Sequence, residues 1–190
     1  APLYMHRDNI DTSQKISKGE LSRRNIDRRD IADGKTFYVN DIAVTPIQIP
    51  HDADPTFGFI FEYQDKRAGF FTDLGNPDSL IANNTLGDLD ELVLESNYDA
   101  EMLANGRYPR ALKDRVSSDF GHLSNLQAAE AIQQGASARL KKLTLAHLSQ
   151  KSNAPLIAHE CMQQALNDSG LQHVELLLAP ARGPIKAAQL

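Results

Sequence analysis

Two histidines and an aspartate stand just past the ends of three apolar runs. These are Ile47-Gln48-Ile49-Pro50-His51, Gly69-Phe70-Phe71-Thr72-Asp73 and Leu143-Thr144-Leu145-Ala146-His147. Imidazole and carboxylate are the ligand types of zinc and similar ions, and a catalytic ion keeps one position open for water. A strand end is stiff, so a ligand there is aimed without loop slack. A two-ion site needs a carboxylate between the ions and histidines closing each of them. That gives Asp73 the bridging position and places His51 and His147 on opposite ions. The gaps of 22 and 74 residues suit ligands from separate strands better than ligands from one helix. Asp52, Asp54 and the carboxylates near residue 91 are candidates to orient an imidazole from behind. Without a metal, the same residues are ordinary: a polar histidine at a surface turn, and an Asp-Leu-Gly turn.

The elements that must position these residues follow from periodicity. Residues 1–5 read as a buried strand, and residues 8–33 as a polar stretch with short helical pieces. Residues 35–39 pair with 42–49 across Asn40-Asp41, a tight-turn dipeptide. Residues 57–63 turn at Gln64-Asp65-Lys66-Arg67 into residues 68–72. The unbroken run Phe57-Gly58-Phe59-Ile60-Phe61 predicts a strand covered on both faces. A short helix follows Asn76-Pro77-Asp78, with Asn76 or Asp78 as its cap. Residues 91–95, 143–146 and 174–178 read as short strands, and residues 100–104, 109–116, 124–134 and 154–166 as helices. Hairpins dominate early, and strands alternate with helices after residue 68. This predicts an α/β (α+β layered) arrangement in one domain over residues 1–190, with 180–190 as a loose tail.

Composition removes several functions. With 190 residues and 41% hydrophobic side chains the chain can bury a real core. A net charge of −5 argues against a nucleic-acid coat protein but not against a nuclease, because metal ions can hold phosphates on an acidic protein. No apolar run is long enough to span a bilayer, and His6, Arg7 and Asp8 break any leader-like stretch, so no membrane partner is expected. The single cysteine, Cys161, excludes an internal disulfide and fits a reducing cytoplasm; it is read as a packed side chain, not a nucleophile. Arg107, Arg110, Lys113 and Arg115 form a basic cluster, either a solvated helix face or a phosphate-contacting strip. There is no G-x-S-x-G elbow, G-x-G-x-x-G turn or phosphate-binding loop motif.

Taken in order, the blocks resemble the YycJ-like (WalJ-like) branch of the metallo-β-lactamase-fold hydrolases. The matching stretches are Pro50-His51-Asp52-Ala53-Asp54-Pro55, Phe71-Thr72-Asp73-Leu74-Gly75 and Leu94-Glu95-Ser96-Asn97-Tyr98-Asp99. They continue with Asn105-Gly106-Arg107-Tyr108-Pro109, Gly121-His122-Leu123-Ser124-Asn125 and Leu145-Ala146-His147-Leu148-Ser149. The resemblance runs to about residue 165. It implies an αββα sandwich in which two zinc or manganese ions activate a hydroxide. It also implies phosphodiester substrates, with DNA exonuclease action foremost. On the matching positions, His51, Asp73 and His147 take the third, fourth and fifth metal motifs. Asp73 and His122 become the catalytic candidates. Ser124, Asn97, Ser149 and Asn153 become substrate-binding candidates, and Arg107 and Arg110 join them from the basic cluster.

The chain departs from the branch in one respect. The His-x-His-x-Asp-His motif that precedes these blocks in the family is absent. The resemblance therefore implies that residue 1 falls inside the domain, that the two-ion ligand set is incomplete, and that the isolated chain is inactive or nearly so. The competing expectations are a degenerate partner-binding protein and a small-molecule esterase, lactonase or cyclic phosphodiesterase on the same fold.

Overall fold

A run of alternating and β-branched or aromatic residues between positions 37 and 71 forms three consecutive hairpin pairings. These organise the larger sheet of the computed structural model, which describes residues 2–9, 27–53 and 55–181. Asp54, most of the predicted helical pieces in 8–33, and residues 182–190 of the tail lie outside the described residues. The strands are β1 (Leu3–Met5), β2 (Arg28–Asp30), β3 (Phe37–Val39), β4 (Ile42–Ile49), β5 (Thr56–Tyr63) and β6 (Lys66–Phe71), followed by β7 (Glu91–Glu95), β8 (Lys142–Ala146) and β9 (Glu175–Leu178). The helices are α1 (Asp78–Ala82), α2 (Ala100–Asn105), α3 (Arg110–Val116), α4 (Asn125–Gly135) and α5 (Pro155–Asp168).

Strands β3 to β9 make one seven-stranded sheet in sequence order. The pairs from β3 to β6 are antiparallel, in registers such as Val44↔Phe61 and Phe59↔Phe70. From β6 to β9 the pairs are parallel, in registers such as Phe71↔Leu94 and Leu94↔Leu145. Tight two-residue turns join β3 to β4 and β5 to β6, and Asn40 (φ 56°) and Gln64 (φ 53°) take the left-handed conformation such turns require; a longer connection, residues 50–55, joins β4 to β5. Parallel neighbours cannot be joined by a tight turn, so helices fill the longer crossovers. Sheet order places the C-terminal ends of β4, β6, β7 and β8 along one edge.

One face of the sheet is closed by α4 and α5. Ile60, Phe71, Leu92, Leu94, Leu143 and Leu145 are buried with Ala128 and Ile132 of α4 and Met162 of α5. A Cβ at Gly58 would collide with the Phe71 ring, so glycine is what lets that ring lie against β5. Cys161 packs at the border of this core, and burial pushes its thiol pKa up, which suits a packed side chain.

The opposite face corrects the expectation of a strand covered on both sides. Phe61 and Phe70 point there and are 39% and 43% exposed. The α4–α5 layer reaches only the other side of the sheet. Part of the open face, near β3, is covered by a small parallel pair, β1–β2, where Tyr4 stacks on Phe37 at 4.3 Å. Strand β1 is half-buried, not buried, and β2 forms in a stretch read as polar and irregular. Its partner strand, not its own composition, makes Arg28–Asp30 extended. The second hairpin turn is also shorter than expected, because Lys66 and Arg67 already pair with Tyr63 and Glu62.

Candidate metal centre

Strand ends supply four of the five side chains that meet at one edge. His51 follows β4, Asp73 follows β6, Glu95 closes β7 and His147 follows β8. His122 comes from the loop before α4. Asp73 and His147 both hold left-handed backbone, φ 56° and 58°. Few residues other than glycine adopt it, and departures of this kind concentrate at functional sites.

The buried carboxylate of Glu95 is the anchor. Its side chain is fully buried. Oε1 accepts from His122 Nδ1 at 2.8 Å and from His147 Nδ1 at 2.6 Å, and Oε2 accepts from the Leu74 backbone N–H at 2.7 Å. Burial pushes the Glu95 pKa up, but the hydrogen bonds from His122, His147 and Leu74 outweigh it, and the carboxyl lies below its ordinary value. His147 responds in the opposite sense: its hydrogen bond to Glu95 raises its pKa against the opposing effect of burial. A carboxylate only accepts, so in both contacts the histidine Nδ1 is the donor.

Asp73 sits opposite Glu95. Its Oδ1 lies 3.6 Å from His147 Nδ1, 3.9 Å from His122 Nδ1 and 3.8 Å from His51 Nε2. Ligand-type atoms of Asp73, Glu95, His122 and His147 all fall within 4.8 Å of one another, as one cation requires. The His51 ring is 5.2 Å from the His122 ring, and His51 Nδ1 donates to the Gly121 carbonyl at 3.0 Å. The carbonyls of Arg115 and Val116 leave no room for a Cβ at Gly121, which is how this loop comes close enough to serve His51.

The sequence-predicted residues separate into groups. His51, Asp73, His122 and His147 are brought together. Glu95 was missed as an individual, though a lone acid ending the apolar run Leu92-Val93-Leu94 was a readable signal. Asp52 lies beside His51, its Oδ1 3.5 Å from Nε2, and a hydrogen bond from Arg115 holds its carboxyl below the usual range. Glu91 is exposed at the far end of β7, and Asp90 pairs with Arg139 instead.

Of the substrate-binding candidates, Ser124 caps α4 in a reciprocal capping box with Gln127. Asn97 and Asn153 are buried, and their amides bond within the protein. Ser149 lines a cleft of roughly 730 Å³ that opens beside His147 and runs to Leu178 and Ala181. Arg107 is exposed. Arg110 is 94% exposed and pairs loosely with Asp114 at 3.8 Å. Of the basic cluster, Arg115 reaches the site, through Asp52.

A mixed sheet with metal-type residues along one strand-end edge defines a class. Residues 4–148 match the Beta-lactamase superfamily domain, and the chain belongs to that superfamily. Exodeoxyribonuclease WalJ of Streptococcus pneumoniae serotype 2 is 33% identical over 162 residues, covering 85% of this chain and 58% of that protein. Exodeoxyribonuclease YycJ of Bacillus anthracis is 34% identical over 140 residues, 74% of this chain and 52% of that protein. These identities place the chain in the YycJ-like branch. It spans little more than half the length of these relatives. Among solved structures, Zn(2+)-bound PqqB from Methylobacterium extorquens matches with a TM-score of 0.67 at 16% identity, over 94% of this chain and 62% of that one, a likeness of fold. No described helix is long and apolar enough to cross a membrane.

Proposed function

We propose that this chain carries part of the active site of a cytoplasmic metal-dependent phosphodiesterase that degrades DNA from an end. The observation that carries the reading is the convergence of Asp73, His122 and His147 on Glu95, with His51 beside Asp73. The donor chemistry fits zinc or manganese: imidazole nitrogens and carboxylate oxygens, partly shielded, on rigid strand ends. A divalent ion held by these residues would supply Lewis acidity and make water a nucleophile near neutral pH. The described donors suffice for one ion. The ligands of a second are expected from the part of the relatives that this chain does not span, so the chain alone is expected to be nearly inactive.

The chain's own residues have distinct tasks. Asp73 offers a carboxylate between His51 and the His122–His147 pair. Glu95 holds both imidazoles by Nδ1 and fixes their rings. His122, with 22% of its side chain exposed, is placed to take a proton from the attacking water and return it to the departing oxygen. Arg115, held by Asp52 at the rim, is a fixed cation available to a substrate phosphate. The named relatives support DNA as the substrate, because both are exodeoxyribonucleases.

The test uses the longest natural polypeptide containing this chain. His147→Ala should abolish metal-stimulated release of nucleotides from linear DNA. Full activity in that variant would end the proposal.

A further inference from the structure

Behind the metal-type residues lies a second layer of polar side chains that contacts none of them through an imidazole or carboxylate. Ser96, Asn97, Asn125 and Asn153 are 1%, 8%, 4% and 6% exposed. Burying four polar side chains in a small chain is costly unless each is bonded. Here each is. Asn125 and Asn153 pair through their amides at 2.9 Å, and Ser96 Oγ donates to Asn125 Oδ1 at 2.6 Å. Asn153 Nδ2 also reaches the Ser96 and Asn97 carbonyls at 2.9 and 3.0 Å, and its Oδ1 accepts from the Ala154 N–H.

The cluster has one outlet toward the site. Asn97 Nδ2 donates to the carbonyl oxygen of His147 at 2.7 Å. On the backbone side, Asn97 O accepts from Ser149 N at 2.8 Å, and Asn97 N donates to Leu123 O at 2.8 Å. Asn97 thus grips the strand-end turn of His147 on both sides and joins it to the loop that carries His122. His147 is the residue there that most needs a grip, because its left-handed backbone is unfavourable for a side chain with a Cβ.

We infer that Asn97, held by Asn153, which Asn125 in turn holds, is a positioning residue. It fixes the left-handed turn at His147 so that the imidazole stays on Glu95 and faces Asp73. The inference rests on the metal-centre reading for its purpose, but its geometry is independent of any ion. It gives a structural task to Asn97, whose Nδ2 bonds the His147 carbonyl, and to Asn153, whose amide nitrogen and oxygen both bond within the protein.

The test compares three variants of the longest natural polypeptide. Asn97→Ala removes the donor, and Asn97→Asp sets an acceptor against the His147 carbonyl. Ser137→Ala deletes a comparable side-chain bond, from Ser137 Oγ to Gly87 O at 2.7 Å, outside the site. Zinc affinity is measured by competition with a chromophoric chelator, and hydrogen exchange is followed at the amides of 147–149. Both Asn97 variants should weaken zinc binding by about tenfold or more, as loss of an outer partner does. They should also speed exchange at 147–149, while Ser137→Ala changes neither at a similar loss of melting temperature. Unchanged exchange at 147–149 in Asn97→Ala overturns the inference, whether or not zinc binds. Equal loss of zinc affinity in Ser137→Ala overturns it too. Failure of the wild-type protein to bind zinc strikes the metal reading alone and leaves the exchange result to decide.

Discussion

His147 donates its Nδ1 proton to Glu95 Oε1 across 2.6 Å, and that same oxygen accepts from His122 at 2.8 Å. One buried oxygen therefore sets two imidazoles. Glu95→Gln keeps the shape but replaces the anion by a neutral amide. It should lower metal affinity by about 10–100-fold, read by chelator competition, and leave both rings less ordered in NMR spectra. An unchanged affinity would remove Glu95 from the site.

Asp73 separates ligand loss from fold loss. Its φ of 56° is a conformation asparagine tolerates well. Asp73→Asn should therefore stay within about 1 kcal/mol of wild-type stability, the effect of a substitution that breaks no packing, while metal-dependent stabilisation disappears. Thermal melts with and without added zinc check both halves of the statement.

Ser124 is a helix cap before it is anything else. Ser124→Ala should cost about 1 kcal/mol, the usual value of a lost N-cap, seen as a lower melting temperature. With Gln127 also losing its reciprocal bond, the start of α4 should fray in hydrogen exchange. A changed KM for DNA without a stability change would reassign Ser124 to substrate binding.

Asp90 gives a pH dependence away from the metal-type residues. Hydrogen bonds from the Arg139 side chain and the Arg67 backbone N–H outweigh the opposing effect of burial and hold its pKa below the ordinary value. A carboxyl whose folded pKa is depressed contributes stability above its unfolded pKa of about 3.9, and that contribution fades as pH falls through the folded value. Melting temperature should drop on acidification below about pH 4. Asp90→Asn should start lower at neutral pH and lose less over the same range.

Much of the hairpin half was legible because antiparallel pairing is local. The register of β4 on β3 needs only a two-residue turn and an alternating pattern, and Asn40-Asp41 supplies the turn. The meeting of His51, Asp73 and His147 at one edge was legible for a similar reason: each follows an apolar run that forms a strand. Glu95 was harder to single out, because an acid after Leu94 is equally well a solvated strand end. Its role depends on two histidines 27 and 52 residues away. Strand β2 was illegible, since Arg28–Asp30 is extended only because β1 pairs with it. The face of β5 and β6 that carries Phe61 and Phe70 is partly exposed among the described residues, because an apolar run reports an affinity for cover, not what supplies it.

The change of strand direction at β6 also dictates an order of events. Hairpin contacts from β3 to β6 close loops of a few residues, whereas β6–β7 and β7–β8 must wait for crossovers that are long in sequence. During synthesis the hairpin half emerges complete before residue 72, but His147 arrives only after α4. The metal-type residues straddle this boundary, His51 before it and Asp73, Glu95, His122 and His147 after it. On the proposed metal reading, capture is expected to be a late step of maturation, and the rate at which a refolding chain gains zinc affinity should follow the slow closure of the parallel strands, not the fast zippering of the hairpins.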